Sequence, residues 1–291
     1  MPTQTATTGQ LENAQGVIIA ATRYAAEHSM PCVNLIEHMK MKKGNKQITV
    51  PFVGQMTMHD LVDGVPIVTS EDIGLTTVDL TTSEVGMRVV LTKKLVFQEN
   101  EDVFKMIGKQ MGNGEGRKKD KDVIALFSAL NSGTAWGADD KNMTVTNLSA
   151  AIAKAHANKI LESVRVVHHP NAVYAYVSSL AVIPSTTYPL PHGIAEDLLR
   201  DFYGGKAPNG TPIFEDGNIE KISGVDSGYG AIFEESAMVY VEGYERSVDR
   251  SFDADLRGWK VVLTDDYGVF ELNDVMGAPL RYEIGDPATN N

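Results

Sequence analysis

The chain reads as an α+β protein in which strands and helices occupy separate stretches. Three observations carry that reading. Gln47 to Thr92 is a long β-patterned excursion without a single lysine. Glu99 to Asn131 follows at once with a helical period. From Thr211 to Ile284, short apolar runs are separated by turn residues, as in successive strands. Helices and strands do not alternate as βαβ units, and no repeat of fixed period is present.

Met1 to Gln10 is an arm of small polar residues. Leu11 to His28 is predicted helical, with Leu11, Ala14, Val17, Ile18, Ala21 and Ala25 on one stripe. Met30-Pro31 ends it, because the residue before proline is pushed out of the α region. Val33 to Met41 is short and mixed, and Gly44-Asn45 makes a turn. In Gln47 to Val53, Ile48, Val50 and Phe52 alternate with polar neighbours, which predicts a half-buried strand. Gly54 to Gly74 lacks a sustained period and reads as a mobile tip. Leu75 to Leu95 returns as strand. Its apolar phase switches near Ser83-Glu84, between Val78 and Leu80 and the later set Val85, Met87, Val89 and Leu91, which predicts a bulge or bend. Together these segments make two arms of a hairpin-like loop with little to form a core of its own. It needs a partner surface, most economically on another copy of the chain.

Val103, Ile107 and Met111 form one helical stripe, and Val123, Ile124, Phe127 and Leu130 another. Between them lies GNGEGRKKDKD, Gly112 to Asp122. Each glycine costs a helix about 1 kcal/mol, so the expectation is one long helix with a soft middle. The run RKKDKD reads as a solvated face. Thr146 is a candidate N-cap for a helix to Ala157. Val164 to Val167 is a short buried strand leading through His168-His169-Pro170 into a helix, Asn171 to Leu180. Pro184 to Gly193 reads as loop, Ile194 to Tyr203 as helix and Gly204 to Gly210 as turn. The closing strands are expected at Thr211–Phe214, Ala231–Glu235, Met238–Tyr244, Lys260–Thr264, Gly268–Asn273 and Leu280–Ile284.

With 291 residues, 43% hydrophobic and 22% charged, the composition is that of a globular chain with room for a substantial core. No apolar run approaches the length that spans a bilayer, and MPTQTATTGQ lacks the basic region of a signal peptide. Cys32 is the only cysteine, which excludes an internal disulfide and fits a reducing compartment. A net charge of -12 argues against gripping nucleic acid by phosphate neutralisation. It is compatible with enclosing nucleic acid, because an acidic wall repels the backbone.

No catalytic constellation emerges. Gly112, Gly114 and Gly116 do not match a dinucleotide fingerprint, and Gly204-Gly205-Lys206 lacks the Ser/Thr of a P-loop. Among seven histidines only His168 and His169 cluster. Adjacent residues leaving a strand point opposite ways, so the pair reads as a turn before Pro170. Cys32 reads as a small buried hydrophobe. Asp265-Asp266 before Tyr267-Gly268 reads as a turn, and Asp253 and Asp255 as surface groups without an EF-hand pattern. Catalytic, cofactor and metal residues are all expected to be none. The methionines suit contact surfaces that must pack in slightly different geometries.

The order of elements is specific. KQITVPFVG (Lys46–Gly54), RVVLTKKLVFQENEDVFKMIGKQMG (Arg88–Gly112), KKDKDVIALFSAL (Lys118–Leu130), RVVHHPNAVYAYVSSL (Arg165–Leu180), YVEGYERSVDRSF (Tyr240–Phe252) and DDYGVFELNDVMGAPLRYEI (Asp265–Ile284) occur in turn. This succession resembles the major capsid protein of tailed bacteriophages, the Hong Kong ninety-seven-type shell fold shared with encapsulins. The resemblance covers almost everything beyond Gln10 and rests on order, since no single motif is diagnostic.

The resemblance implies an N-terminal arm and helix (1–46), an extended β-loop (47–92), a peripheral domain with a long spine helix (93–143 and 246–291) and an axial domain (144–245). It implies hexamers and pentamers of an icosahedral shell around double-stranded DNA, located in the virion and assembled in the host cytoplasm. Candidate intersubunit contacts are Ile48, Val50, Phe52, Met56, Met58, Val78, Leu80, Met87 and Arg88. Expected partners are other copies of the chain, a portal, a separate scaffolding protein and a cement or decoration protein; no membrane is expected. Some members weld their shells by isopeptide bonds from a loop lysine, and Gln47 to Thr92 holds none, so a non-crosslinked shell is expected. An encapsulin-type compartment is the nearest alternative. A soluble α+β enzyme using Asp253, Asp255 or His168 and a tail-tube protein are less well supported.

Overall fold

The computed structural model describes residues 30–53, 56, 58–60, 63, 74–98, 102–158, 163–180, 206–207 and 210–287. The expected helices at Leu11–His28 and Ile194–Tyr203, and most of the expected tip at Gly54–Gly74, lie outside the described residues. In chain order the strands are β1 (Glu37–Lys40), β2 (Ile48–Phe52), β3 (Thr76–Leu80), β4 (Ser83–Thr92), β5 (Trp136–Gly137), β6 (Arg165–His168), β7 (Ile213–Glu215), β8 (Ser227–Phe233), β9 (Met238–Asp253), β10 (Gly258–Glu271) and β11 (Gly277–Glu283). The helices are α1 (Lys93–Gln98), α2 (Asp102–Phe127), α3 (Val145–Ala157) and α4 (Pro170–Leu180). They build a four-stranded sheet ordered β1-β9-β10-β4, a five-stranded sheet ordered β5-β11-β8-β6-β7, and a two-stranded ribbon of β2 and β3.

The phase switch near Ser83 marks a change of sheet. Thr76–Leu80 pairs antiparallel with β2, whereas Ser83–Thr92 pairs along its whole length with β10. The expected long second arm is therefore two strands serving two sheets, and its last turn is the helix α1. The long helix is continuous through its glycines. Its inward row runs Met111, Glu115, Lys119, Val123 and Phe127 at spacing four, so the apolar stripe is bridged by a charged pair. Of the run expected to be solvated, Asp120 is fully buried and Lys119 only 18% exposed.

The largest core cluster lies between the five-stranded sheet and three helices. It joins Phe127, Leu148, Ile152, Ala172 and Tyr176 to Val167, Ile232, Phe233 and Leu280. The Phe127 and Phe233 rings meet at 5.8 Å between centroids. The cap of α3 is Thr144 rather than Thr146: its hydroxyl accepts from the Asn147 N–H at 3.3 Å.

β10 runs unbroken through Asp265-Asp266, where composition predicts a turn. The register against β9 shifts there instead. The acidic pair is tied into the interior: Asp265 takes the Lys119 ammonium at 2.6 Å and accepts the Asp266 N–H at 2.9 Å. Thr82 donates to the Asp266 carboxylate at 2.9 Å. Gly243 sits opposite, where any Cβ would collide with that carboxylate. The true hairpin turn is Ala254–Arg257, with Arg257 in the left-handed region and Asp253 accepting from the N–H groups of Asp255 and Leu256.

Candidate functional site

The nine candidate contact residues separate into two groups. Ile48, Val50, Phe52 and Val78 are half-buried on a cluster of the chain's own making, with Leu80, Met41, Val239, Val241 and Leu272. Leu80 is fully buried, so its side chain is inaccessible to a neighbour. The ribbon's base therefore finds its partner on β9 and β10 of the same chain, because the alternating face of β2 matches an apolar patch there. Met87 also turns inward, joining Leu91, Met111, Val261 and Leu263. By contrast, Met56 is 60% and Met58 98% exposed, and Arg88 is exposed. Val53 and Leu75, just past the paired residues, are also exposed. The sequence expects contacts along the whole ribbon; the candidates on the ribbon that stay exposed lie at its distal end.

A second surface has no signal in the sequence. Thr92, Lys93, Lys94, Phe97, Phe252, Leu256 and Arg257 line an open cleft of about 560 Å³ where α1 meets the β9–β10 turn. The Lys93 N–H donates to the Arg257 carbonyl at 2.8 Å and fixes the two walls. Gly258 allows the approach, since a Cβ there would lie 2.5 Å from the Leu91 carbonyl oxygen. The cleft combines two exposed rings, Phe97 at 79% and Phe252 at 48%, with three cationic side chains. An exposed apolar surface rimmed by charge is characteristic of a contact site. Sequence could not find it, because its walls are far apart in the chain.

The four-stranded sheet has open edges. β4 is terminal, and β1 covers only Val239–Glu242 of β9. Past that point β9 has no strand on its outer side among the described residues, and Tyr244, Val248 and Phe252 are exposed. Unpaired edges of this kind accept strands from other chains.

The groups with chemical potential are placed as follows. His168 is fully buried at the end of β6, its Nδ1 accepting the His169 N–H at 2.9 Å. Burial pushes its pKa down to about 3, so it is a neutral core group. Asp253 caps a turn, and its carboxyl is held below its usual range by the Lys260 ammonium and the turn N–H groups. The three clustered glycines of α2 line its surfaces: positions 114 and 116 lie against Met87 and Met30, and position 112 beside Arg246. Cys32 is buried, but in polar company. Its thiol donates to Asp216 at 3.1 Å, and among the described residues Cys32, Asp120 and Asp216 are the one grouping with metal-ligand spacing. Each of these groups already has a partner within the cluster.

No family model and no curated protein matches this chain. Solved structures do. A structure of Mycobacterium phage Che8 aligns at a TM-score of 0.70 and 16% identity, over 89% of this chain and 94% of that one. The capsid asymmetric unit of cyanophage Pam1 aligns at 0.67 and 12% identity, over 91% and 95%. The holo-SrpI encapsulin complex of Synechococcus elongatus aligns at 0.63 and 11% identity, over 97% and 98%. The chain has the Hong Kong ninety-seven-type fold of tailed-phage capsids, which the encapsulin shares. Among the described residues, no helix is long and apolar enough to cross a membrane.

Proposed function

We propose that the chain is the major shell subunit of a tailed-phage particle, forming hexamers and pentamers around double-stranded DNA. The observation that carries this reading is a capsid fold whose surfaces are incomplete in one copy: an exposed ribbon end, open sheet edges and a cationic aromatic cleft. The segment 54–73 holds Asp60, Asp63, Glu71 and Asp72, with neither lysine nor arginine, beside Met56, Met58, Leu61 and Ile67. Its acidic and apolar character complements Lys93, Lys94, Arg257, Phe97 and Phe252. A second copy supplies it more readily than the same chain. The ribbon packs near Val241 and the cleft lies at Phe252, about 35 Å further along the strand at strand rise, a span that would need half of the segment fully stretched.

The division into 1–46, 47–92, 93–143 with 246–291, and 144–245 is part of the proposal. β9 runs continuously across its boundary at Glu245, and β11 lies in the sheet with β6, β7 and β8. A separate scaffolding protein, a portal and a cement protein complete the proposed set of partners, and the virion is the proposed location. The subunit has no proposed catalytic role.

Electron microscopy of the purified protein tests the class: closed shells are expected, with nuclease-resistant DNA in particles from infected cells. Dispersed monomers under all assembly conditions would overturn it. SDS gels of mature particles should run at the monomer position, since the lysine-free loop cannot form the weld. The encapsulin alignment supports a second reading, a protein compartment; enclosed enzyme in place of DNA would decide for it.

A further inference from the structure

We propose that Cys32, Asp120 and Asp216 form a proton-operated latch that fastens the Met30–Ile36 strap to the middle of α2. The inference is independent of the shell reading. The strap contains a 3-10 turn, Cys32–Leu35, with Cys32, Leu35 and Ile36 buried. Met30 lies across the helix at Gly116, its sulfur 3.0 Å from where a Cβ would stand. One turn further along, the Cys32 N–H donates to Asp120 Oδ1 at 3.1 Å. The Cys32 thiol donates to Asp216 Oδ2 at 3.1 Å. Asn218 braces both acids, its side-chain amide donating to Asp120 Oδ2 at 3.1 Å and its N–H to Asp216 Oδ1 at 2.8 Å. The Asp216 N–H in turn donates to the His168 carbonyl at 3.0 Å. Three parts of the chain meet here: the strap, the long helix and the segment after β7.

Both carboxyls are fully buried and in contact. The nearest cations on the helix are engaged elsewhere, Lys119 by Glu115 and Asp265, and Lys121 by Glu220. Two buried carboxylates in contact cannot both be charged without a large penalty, so the pair keeps one proton. Burial, then the hydrogen bond and charge of Asp216, push Asp120 up to about 7, against the opposing pull of Asn218 and the Cys32 N–H. Burial and both carboxylates also push the Cys32 thiol up, so it remains a donor.

The sign follows from linkage. Burial is the largest cause of the rise of Asp120 from its ordinary value of 3.8 to about 7, and Asp216 the next. Opening the strap removes its share of the burial and leaves Asp216 in place, so closing takes up a fraction of a proton between those values. The latch tightens as pH falls from 7 toward 4 and gains nothing further above 7. His168 has the opposite sign, but strap opening leaves it buried in β6, and it does not enter.

Cys32 is the only cysteine, so its modification in the intact chain reads the opening directly. The labelling rate with 4,4′-dithiodipyridine, divided by that of free cysteine at each pH, should fall steadily from about pH 7 to 5, by less than about tenfold per pH unit. It should be level above 7.5. Asp120→Asn should abolish the dependence while the native strap remains protected. A ratio that is flat or rises as pH falls through this range would overturn the latch, as would a wild-type slope in Asp120→Asn. The wild-type profile decides the question even if that variant fails to fold.

Discussion

The two large sheets are made of similar strands put to different uses. In the five-stranded sheet, β8 buries every residue but Tyr229 to near completeness, and β11 all but two. In the four-stranded sheet, β9 begins with four buried residues, Met238 to Val241, then exposes most of the remainder. One sheet closes a core within the chain. The other leaves the far half of β9 without a strand on its outer side among the described residues, with Tyr244, Val248 and Phe252 exposed. On the proposed shell reading, folding and assembly fall to different ends of β9, and substitutions should separate them.

The strongest test removes a side chain from the closed side. Phe233 is fully buried against Phe127, and Phe233→Ala should lower folding stability by about 3–5 kcal/mol. Urea unfolding of the unassembled chain measures it; a loss below about 1 kcal/mol would mean that this cluster is not the folding core.

Next comes the ionic bridge in α2. Lys119 holds Glu115 at 2.7 Å and Asp265 at 2.6 Å, both acids nearly inaccessible. Burial works to lower the Lys119 pKa, but hydrogen bonds to Asp265 and Glu115 raise it further, so it stays charged. Removing one partner of a buried pair leaves an uncompensated charge, and Lys119→Ala should cost about 3 kcal/mol. Thermal unfolding of this variant beside Lys119→Met/Asp265→Leu distinguishes the cause: the double variant should recover part of the loss.

That bridge also marks where sequence reading succeeds and fails. Sustained periods are legible: β2, α3, α4 and the unbroken α2 follow their patterns within a residue or two at most ends. Asp265-Asp266 and RKKDKD mislead for one reason. Local composition treats a cluster of charges as solvent-facing, while here Lys119 and Asp265 satisfy each other across α2 and β10. The Cys32 cluster is beyond any spacing rule, since Cys32 bonds to groups 88 and 184 residues away. Alternation reveals the ribbon but cannot say whose surface covers its apolar face, and most of the contact candidates pack on their own chain.

On the open side the balance reverses. Phe97→Ser with Phe252→Ser should change folding stability by less than about 1 kcal/mol, as exposed positions do, yet prevent shells from closing. Lys94→Glu with Arg257→Glu should weaken assembly in the same way, and most at low salt, because it replaces attraction for the acidic segment by repulsion. Sedimentation of the assembled particles reads both. Normal shells from both variants would remove the cleft from the assembly surface and leave the ribbon end and sheet edges to carry it.

The smallest effects concern the glycines of α2 and tell whether its middle is soft by composition or by packing. A Cβ at Gly108 would have nothing within 4 Å, one at Gly114 would meet the Met87 methyl at 3.2 Å, and one at Gly116 the Met30 sulfur at 3.0 Å. Alanine gains about 1 kcal/mol over glycine in a helix interior. Gly108→Ala should realise most of that gain. Gly114→Ala should keep about half, because the end of the Met87 side chain can move aside. Gly116→Ala should gain little or lose stability, since Met30 anchors the strap and its sulfur must be displaced. Equal gains at all three positions would mean that these contacts impose no constraint, and that Met30 does not help to hold the strap, leaving that to the carboxyl cluster and to buried Leu35 and Ile36.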